Sequence, residues 1–465
     1  MPKLDYDRKA PLYIQIYHHL KTEIQTGAIG AGTQLPSHRK LAEHLGVSRN
    51  TIETAYQQLM AEGYVESKPK KGLFAAKLNY NLIQESHLPP VIPLSKKEDE
   101  RSQYDFSHGQ VDAASFPLST WRKITTESLL NYENKLFTKE DPQGEYELRQ
   151  EICRYLYESR GVVSSPDHIT IGAGTQSLIW LLVQLIGFKD PYAIENPGFH
   201  RVRAIFQSCH TNLTYIPLDD KGIQIDKLYE SKAKTVYITP SHQFPTGIIM
   251  PLSRRIELLE WAKCTGSYII EDDYDGEFRY VGKPIPSLQG LDTNSSVVYF
   301  GTFSKSFLPS IRMSYMVLPP SLLTKYKQNG LIYKQTASKL HQLTLASFMS
   351  KGHWSQHLNR IRTLYKRKQK TLISSIQSIM GEKVDIIGSQ SGLHIILHVK
   401  NGMSEADLIQ TAKQQNVTVY PVSPYYSYTP DNLAHVLLGF GGLTESEIVE
   451  AIILLKKAWF AVSSS

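Results

Sequence analysis

From Phe106 onward, short runs of β-branched and aromatic residues alternate with helical stretches, and this alternation restricts the fold more than any other feature. "YAIEN" (192–196), "TVYIT" (235–239), "SYIIEDD" (267–273), "SVVYFGT" (296–302) and "SYMVLP" (314–319) each hold at least three consecutive apolar residues. Such runs predict strands covered on both faces. "SRRIELLEWAKCTG" (253–266) is an amphipathic helix between two of them. Strands alternating with helices imply an α/β domain with a mostly parallel sheet and helices on both faces. Ligands bind such sheets at the C-terminal ends of the strands, and the polar residues gather there. "GAGTQSLIWLL" follows "ITI" (169–171), and Asp272, Asp273 and Tyr274 follow "YIIE". Thr302, Ser304 and Lys305 follow "VVYFG", with Arg312 further on. "GTFSKSFLPSIRMSYMVLP" predicts a buried strand, a polar turn carrying Lys305 and a second buried strand.

A chain of 465 residues allows two or three domains. Its three cysteines, Cys153, Cys209 and Cys264, are widely spaced and form neither a disulfide framework nor a metal motif, which fits a reducing cytoplasm. No metal site is expected. The first residues carry charge and proline with no apolar core, so no signal peptide is expected. The most apolar stretch, "SLIWLLVQLIGF" (177–188), is too short to span a bilayer and predicts a core helix, so no membrane partner is expected. The net charge is +7, and residues 1–80 hold eleven Lys and Arg against seven Asp and Glu. That bias suggests an anionic partner for the N-terminal end.

In "PLYIQIYHHLKTEIQTG", Tyr13, Ile16, Tyr17, Leu20 and Ile24 fall on one helical face, and Gly27 stops the helix. "LPSHRKLAEHLGVSRNTIETAYQQLMAEGYV" then predicts two helices capped by Ser37 and Ser48 and joined at Gly46-Val47. Ile52, Ala55, Leu59 and Met60 face inward in the second. A helix, a glycine-containing turn and a second helix make a helix-turn-helix. The start of the second helix, with Arg49, Asn50 and Thr51, is the end that enters the DNA major groove. "YVESKPKKGLFAA" predicts two strands around a basic turn of Lys68, Lys70 and Lys71 closed by Gly72, a wing for phosphates. The competing reading is a small helical domain that docks on protein. The segment 12–75 is similar to the winged helix-turn-helix of GntR-type bacterial repressors, apart from His38, where these domains usually carry a small residue or an acid. The resemblance implies operator-DNA contacts from Ser37, Arg39, Ser48, Arg49, Asn50, Thr51, Lys71 and Gly72.

Residues 77–105 have no sustained period and hold a Pro-Pro pair and a charge cluster, which predicts a linker between a domain at 1–76 and one at 106–465. In the larger domain the polar residues at the strand ends fit one cofactor. Pyridoxal 5'-phosphate needs a lysine for its Schiff base, an acid at its ring nitrogen, a phosphate cup and an aromatic against its face. An ionised Asp favours the protonated, electron-drawing ring.

The blocks "DPQGEYELRQEI", "IGAGTQSLI", "ENPGFHRVR", "TPSHQFPTG", "IIEDDYDGEFRY" and "GTFSKSFLPSIRMSYM" resemble those of fold-type-I aminotransferases, in that family's order, over about Phe106 to Trp459. The resemblance implies Lys305 as the Schiff-base lysine, Asp272 at the pyridine nitrogen and Tyr274 at the ring hydroxyl. It implies Gly174, Thr175, Gln176, Thr302, Ser304 and Arg312 around the phosphate and Phe199 stacked on the ring. It also implies a C-terminal α+β subdomain. A winged helix joined to such a domain resembles the MocR/GabR regulators. That layout implies a homodimer, with the DNA-binding domain packed on the partner's large domain, and an amine or amino-acid effector held by Arg201.

Three positions depart from the aminotransferase pattern. Phe244 precedes "PTG" where an asparagine is usual, Lys139 stands at a usual tyrosine before "DPQG", and no arginine follows Arg367. Transaminases typically clamp the substrate carboxylate with a C-terminal arginine, because a guanidinium forms two parallel hydrogen bonds to it. Here the matching stretch is "VYPVSPYYSYTP", and Arg201 or Arg203 is the partial substitute. The chain is thus expected to be a pyridoxal-phosphate-dependent transcriptional regulator that senses an amine, an amino acid or the cofactor itself. The alternatives are an active aminotransferase with an appended DNA-binding domain and a domain kept only for dimerisation.

Overall fold

The computed structural model describes residues 10–77, 102–280, 286–329, 332–428, 430 and 433–460, and the chain divides into two units between Asp99 and Glu100. Most of the expected linker, 78–101, lies outside the described residues.

The first unit contains α1 (Leu12–Gln25), α2 (His38–Leu45) and α3 (Arg49–Ala61), then β1 (Val65–Lys68) and β2 (Gly72–Ala75) as an antiparallel pair. Ser37 and Ser48 cap α2 and α3, accepting from the N–H groups of Lys40 and Thr51. Gly46 ends α2 in the left-handed conformation at φ +65°, which a side chain rarely adopts. The core joins Ile16, Leu20 and Ile24 of α1 to Leu41 of α2 and Ile52, Tyr56 and Leu59 of α3. Tyr56, which the period reading omitted, is fully buried, and its hydroxyl donates to Pro36 O at 3.0 Å.

The second unit begins earlier than expected. Tyr104–Asp105 already forms strand β3, which pairs in parallel with β14 (Val417–Thr418). A two-residue strand has no period to read in sequence. The large sheet comprises β4 (Ile169–Gly172), β5 (Tyr192–Asn196), β6 (Leu213–Asp219), β7 (Gly222–Ile223), β8 (Thr235–Ile238), β9 (Tyr268–Asp273), β10 (Val297–Thr302) and β11 (Ser314–Val317). Its order is β4-β11-β10-β9-β8-β5-β6-β7. The run from β10 to β6 is parallel, while β11 is antiparallel to both neighbours. A second, antiparallel sheet of β12 (Val384–Ile387), β13 (His394–Val399), β15 (Tyr420–Pro421) and β16 (His435–Gly439) packs with the helices His353–Ile379 and Glu405–Gln414. This is the α+β subdomain. Thr175–Ile186, the apolar stretch singled out above, is a helix that buries Leu178, Ile179, Leu182 and Val183.

The parallel register brings the chemistry-bearing residues to one edge. Asp272 of β9 pairs with Phe300 of β10, and Asp273 pairs with Gly301. A side chain at 301 would collide with the Tyr315 ring, its Cβ lying 2.3 Å from that hydroxyl, so only glycine lets β11 close over β10. Asp273 is buried and takes Arg160 Nε at 2.6 Å and the Tyr299 hydroxyl at 2.7 Å on one oxygen. Arg160 is the last residue of the helix Tyr146–Arg160 and also donates to Ser241.

Removing one partner of a buried pair strands the other's charge. Arg160→Met should therefore destabilise the second unit by about 3–5 kcal/mol in chemical denaturation. Adding Asp273→Asn should recover part of that loss. If Arg160→Met is neutral, the pair does not hold the sheet edge.

Candidate cofactor and nucleic-acid sites

A cavity of about 330 Å³ opens at the C-terminal edge of the large sheet. Each sequence-predicted residue of the larger domain lines it: Gly174, Thr175, Gln176, Phe199, Arg201, Asp272, Tyr274, Thr302, Ser304, Lys305 and Arg312. Segments up to 138 positions apart meet because the strand ends are adjacent in the sheet, although distant in sequence.

Asp272 is 4% exposed and sits at the end of β9. The Tyr237 hydroxyl donates to its Oδ2, while Oδ1 is buried with no hydrogen-bond partner. Burial raises this carboxyl to about 7. A buried acceptor without a donor is costly, so Oδ1 is suited to a cationic N–H placed in the cavity. The pyridine nitrogen of pyridoxal phosphate, protonated, is such a group.

At the opposite wall, Gly174 precedes the helix Thr175–Ile186 at φ +99° and offers no side-chain cap, which leaves the first backbone N–H groups of that helix for an anion. A Cβ on Gly174 would lie 2.5 Å from Arg312 Nη2, so the glycine admits the guanidinium to the helix start. Arg312, which ends the turn after β10 in the left-handed region at φ +48°, makes no hydrogen bond or ion pair among the described residues. Thr302 Oγ1 accepts from Ser304 N at 3.2 Å and Ser314 Oγ at 2.9 Å, which shapes the turn carrying Lys305. These groups fit a phosphate.

Lys305 faces the cavity between the two walls. Desolvation disfavours its ammonium and lowers it to about 8, a shift that the Arg201 charge deepens and the Asp275 and Asp272 carboxylates oppose. Phe199 stacks face to face on Phe244, with ring centroids 3.9 Å apart and planes 8° apart, so one face of Phe199 is already covered and the other meets the cavity. Phe244, at the usual asparagine position, offers no polar contact. The loop that carries it is fixed by Gln243, which donates to Pro197 O and Phe244 O, and by Glu195, which accepts from Thr239. Tyr274 donates to His242 O at 3.1 Å, and His242 Nδ1 lies 2.9 Å from Asp275 Oδ2.

The structure separates Arg201 from Arg203. Arg203 donates to Tyr426 O and Pro424 O, both at 2.8 Å, and so ties the tyrosine-rich stretch to the helix His200–Ser208. Arg201 makes no hydrogen bond or ion pair among the described residues and points to the cavity, where Tyr420 and Tyr425 also lie. Lys139 does not line the cavity.

Sequence reasoning missed several residues. Tyr237 was hidden inside "TVYIT", although its place between Val236 and Ile238 puts it on the opposite face of the strand. Ser107, His108 and Gly109 follow β3, far upstream of every other block. The phase of "DFSHGQVD" relative to the site exists only in the fold.

In the first unit, Arg49 and Asn50 are exposed at the start of α3, and Ser48 Oγ bonds Thr51 Oγ1 at 2.8 Å. Arg39 pairs with Glu43 at 2.9 Å, an exposed contact of small worth that an incoming phosphate can replace. Lys71 and Gly72 lie in the β1–β2 turn, where Gln34 donates to Lys71 O at 2.6 Å and braces the wing. Lys68 stands 4.7 Å over the Phe74 ring, and Lys68, Lys70 and Lys71 are all exposed on the wing.

Residues 12–74 match the family described as bacterial regulatory proteins, gntR family, and residues 101–448 match aminotransferase class I and II. The chain is 47% identical to an HTH-type transcriptional regulator, YhdI, of Bacillus subtilis (strain 168), over 100% of this chain and 99% of that one. It is 30% identical to the probable rhizopine catabolism regulatory protein MocR of Rhizobium meliloti, over 99% of this chain and 96% of that one. Among solved structures it is similar to a kynurenine aminotransferase of Pyrococcus horikoshii in complex with PMP, at 25% identity and a TM-score of 0.68, covering 78% of this chain and 91% of that one. No helix among the described residues is long and apolar enough to cross a membrane.

The lowered ionisation of Lys305 gives a test that needs no ligand. Reductive methylation by formaldehyde and cyanoborohydride consumes the neutral amine. Labelling of the Lys305 peptide, read by mass spectrometry, should rise with pH up to about 8 and then level off. Exposed lysines should keep rising toward about 10.4. A Lys305 profile that follows the exposed lysines would show that the cavity does not desolvate it.

Proposed function

Since the chain belongs to the GntR-type HTH transcriptional regulators that carry an aminotransferase class I and II domain, we propose that its larger unit holds pyridoxal phosphate as a sensor for an amino acid. The observation that carries this reading is the unpartnered Asp272 Oδ1 facing a cavity that also holds Lys305 and an unpaired Arg312. Bound there, the cofactor supplies an aldehyde that primary amines join and a ring that draws electrons.

The chain's own residues divide the work. Asp272 Oδ1 accepts from the ring nitrogen, and Tyr237 keeps the other oxygen satisfied. Arg312, the amides at 174–176, Thr302 and Ser304 hold the phosphate. Lys305 Nζ is the covalent attachment point, and its lowered ionisation supplies more neutral amine near pH 7 than an ordinary lysine. The free face of Phe199 covers the ring, and the Tyr274 oxygen is placed for the ring hydroxyl. Arg201 and Arg312 are the arginines among the described residues that line the cavity. With Arg312 at the phosphate, Arg201 remains for an effector carboxylate, and its placement on a helix rather than on the small subdomain favours recognition over repeated turnover. A second copy of the chain is the expected partner of this unit, supported by the exposed Leu118, Leu130 and Phe137. The first unit reads DNA through α3 and the wing.

Full-length protein mixed with pyridoxal phosphate should gain a visible absorption band that Lys305→Ala abolishes. Amino acids that shift this band should need about 10–100 times more ligand in Arg201→Ala, because a charged hydrogen bond to the carboxylate is lost. Simple amines without a carboxylate should be unaffected. A band that survives in Lys305→Ala sinks the covalent reading, and equal shifts for both ligand classes sink the role of Arg201. Sustained turnover with an amino donor and a keto acid would favour the enzyme instead.

Arg49→Ala should weaken operator binding by about 1–3 kcal/mol if Arg49 reads a base, measured by fluorescence anisotropy at fixed salt. Unchanged affinity would remove α3 from the interface.

A further inference from the structure

Lys305 Nζ has one hydrogen-bonding partner among the described residues: Nε2 of His108, at 3.3 Å. The fit is built from several sides. Gly109 follows at φ +99°, and a Cβ there would lie 2.6 Å from Nζ, so the backbone closes directly against the amine. The His108 ring packs on Phe244 and His394 with centroids 4.9 and 4.8 Å apart, and it stands edge-on to Tyr274. The segment is pinned to the small subdomain by Phe106 N to Thr418 O at 3.0 Å and Gly439 N to Phe106 O at 2.8 Å. Gly439 is required there, because its Cβ would lie 2.6 Å from Ser107 O.

Charge settles the direction of the contact. Burial is the main force against an imidazolium at His108, and Lys305, His394, His242 and Arg201 around it add to this. Around Lys305 stand Arg201, which repels its charge, and Asp275 and Asp272, which attract it. At neutral pH the imidazole is therefore neutral and the lysine carries the proton. Nζ–H donates to Nε2, and the remaining imidazole proton sits on Nδ1.

We infer that His108 is the docking point for the Lys305 amine whenever that amine is not covalently engaged, and that it thereby sets how much effector is needed to displace the lysine. This inference rests on the cofactor reading above. Displacement balances in atoms and charge. The carbon–nitrogen double bond at a singly protonated Nζ would be broken, an equally protonated one would form at the incoming nitrogen, and two protons would pass from the incoming ammonium to Nζ. The released lysine is then an ammonium in a cavity that disfavours charge. The acceptor on His108 is what stabilises it, and a hydrogen bond to a charged group is the stronger kind. His108 is a positioning residue in this sense: it acts on the free-lysine side of the exchange and leaves effector contacts to Arg201.

The test uses full-length protein loaded with pyridoxal phosphate and titrated with methylamine, which lacks a carboxylate and so bypasses Arg201. His108→Phe keeps a packed ring without the acceptor. It should raise the methylamine concentration at half-shift of the visible band about tenfold or more. His108→Gln, which keeps an amide oxygen as acceptor, should stay near the parent. A second readout needs no cofactor. In the apoprotein, loss of the acceptor disfavours the ammonium, so the pH profile of Lys305 labelling should move to lower pH in His108→Phe and stay in place in His108→Gln. Unchanged half-shift and labelling in His108→Phe would overturn the inference. So would equal shifts in both variants, which would mark a packing role. If the parent forms no visible band, the cofactor reading fails, and the labelling profile alone still decides whether His108 holds Lys305.

Discussion

One oxygen of Asp272 is held by Tyr237, and the other is buried without a donor among the described residues. That unsatisfied acceptor constrains the rest of the site. Burial pushes its carboxyl toward the neutral form, and the open acceptor favours a ligand N–H over a ligand without a donor. The parallel register of β9 and β10 then fixes where a ligand held at Asp272 extends: one way toward the turn carrying Lys305 and Arg312, the other toward the aromatic pair of Phe199 and Phe244. Lys305 and Arg312 share one short connection between antiparallel strands, so a single turn brings both cations to the cavity.

On the proposed reading, a transaminase-like cavity is turned toward sensing. The residues proposed to hold the cofactor all line the cavity. Groups that aim a substrate are rearranged: an aromatic residue replaces the usual amide at 244, Arg203 is spent on the carbonyls of 424 and 426, and tyrosines occupy the stretch without arginine. Of Arg201 and Arg203, only Arg201 lines the cavity without a hydrogen-bond or ion-pair partner among the described residues. A regulator needs an effector to occupy and shift an equilibrium, and it does not need the positioning that repeated chemistry demands.

Much of this was legible in the chain. The strands at 192–196, 235–238, 268–273 and 297–302 were readable because burial on both faces leaves continuous apolar runs, and the residues at their ends stood out as polar interruptions. The caps at Ser37 and Ser48 were readable because capping is local. Tyr56, Tyr237 and His108 were not. Tyr56 and Tyr237 sit in amphipathic or apolar runs where an aromatic residue reads as core, and their hydroxyl partners lie on other segments. His108 sits in a loop with no period, next to a strand too short to detect. The start of the larger unit was placed a few residues late for the same reason, since β3 exists only through its pairing with β14.

The sequence by itself determined the two-part organisation, the parallel sheet and the presence of a lysine, an acid and an arginine at the strand ends. These depend on local pattern and on side-chain chemistry that no folding can change. Only the tertiary structure decided which of Arg201 and Arg203 is free, which oxygen of Asp272 is unsatisfied and which group receives the amine of Lys305. Each of these is a question of which polar atom finds a partner across more than twenty residues of chain, and hydrogen bonding at that range is set by how the strands and the small subdomain pack.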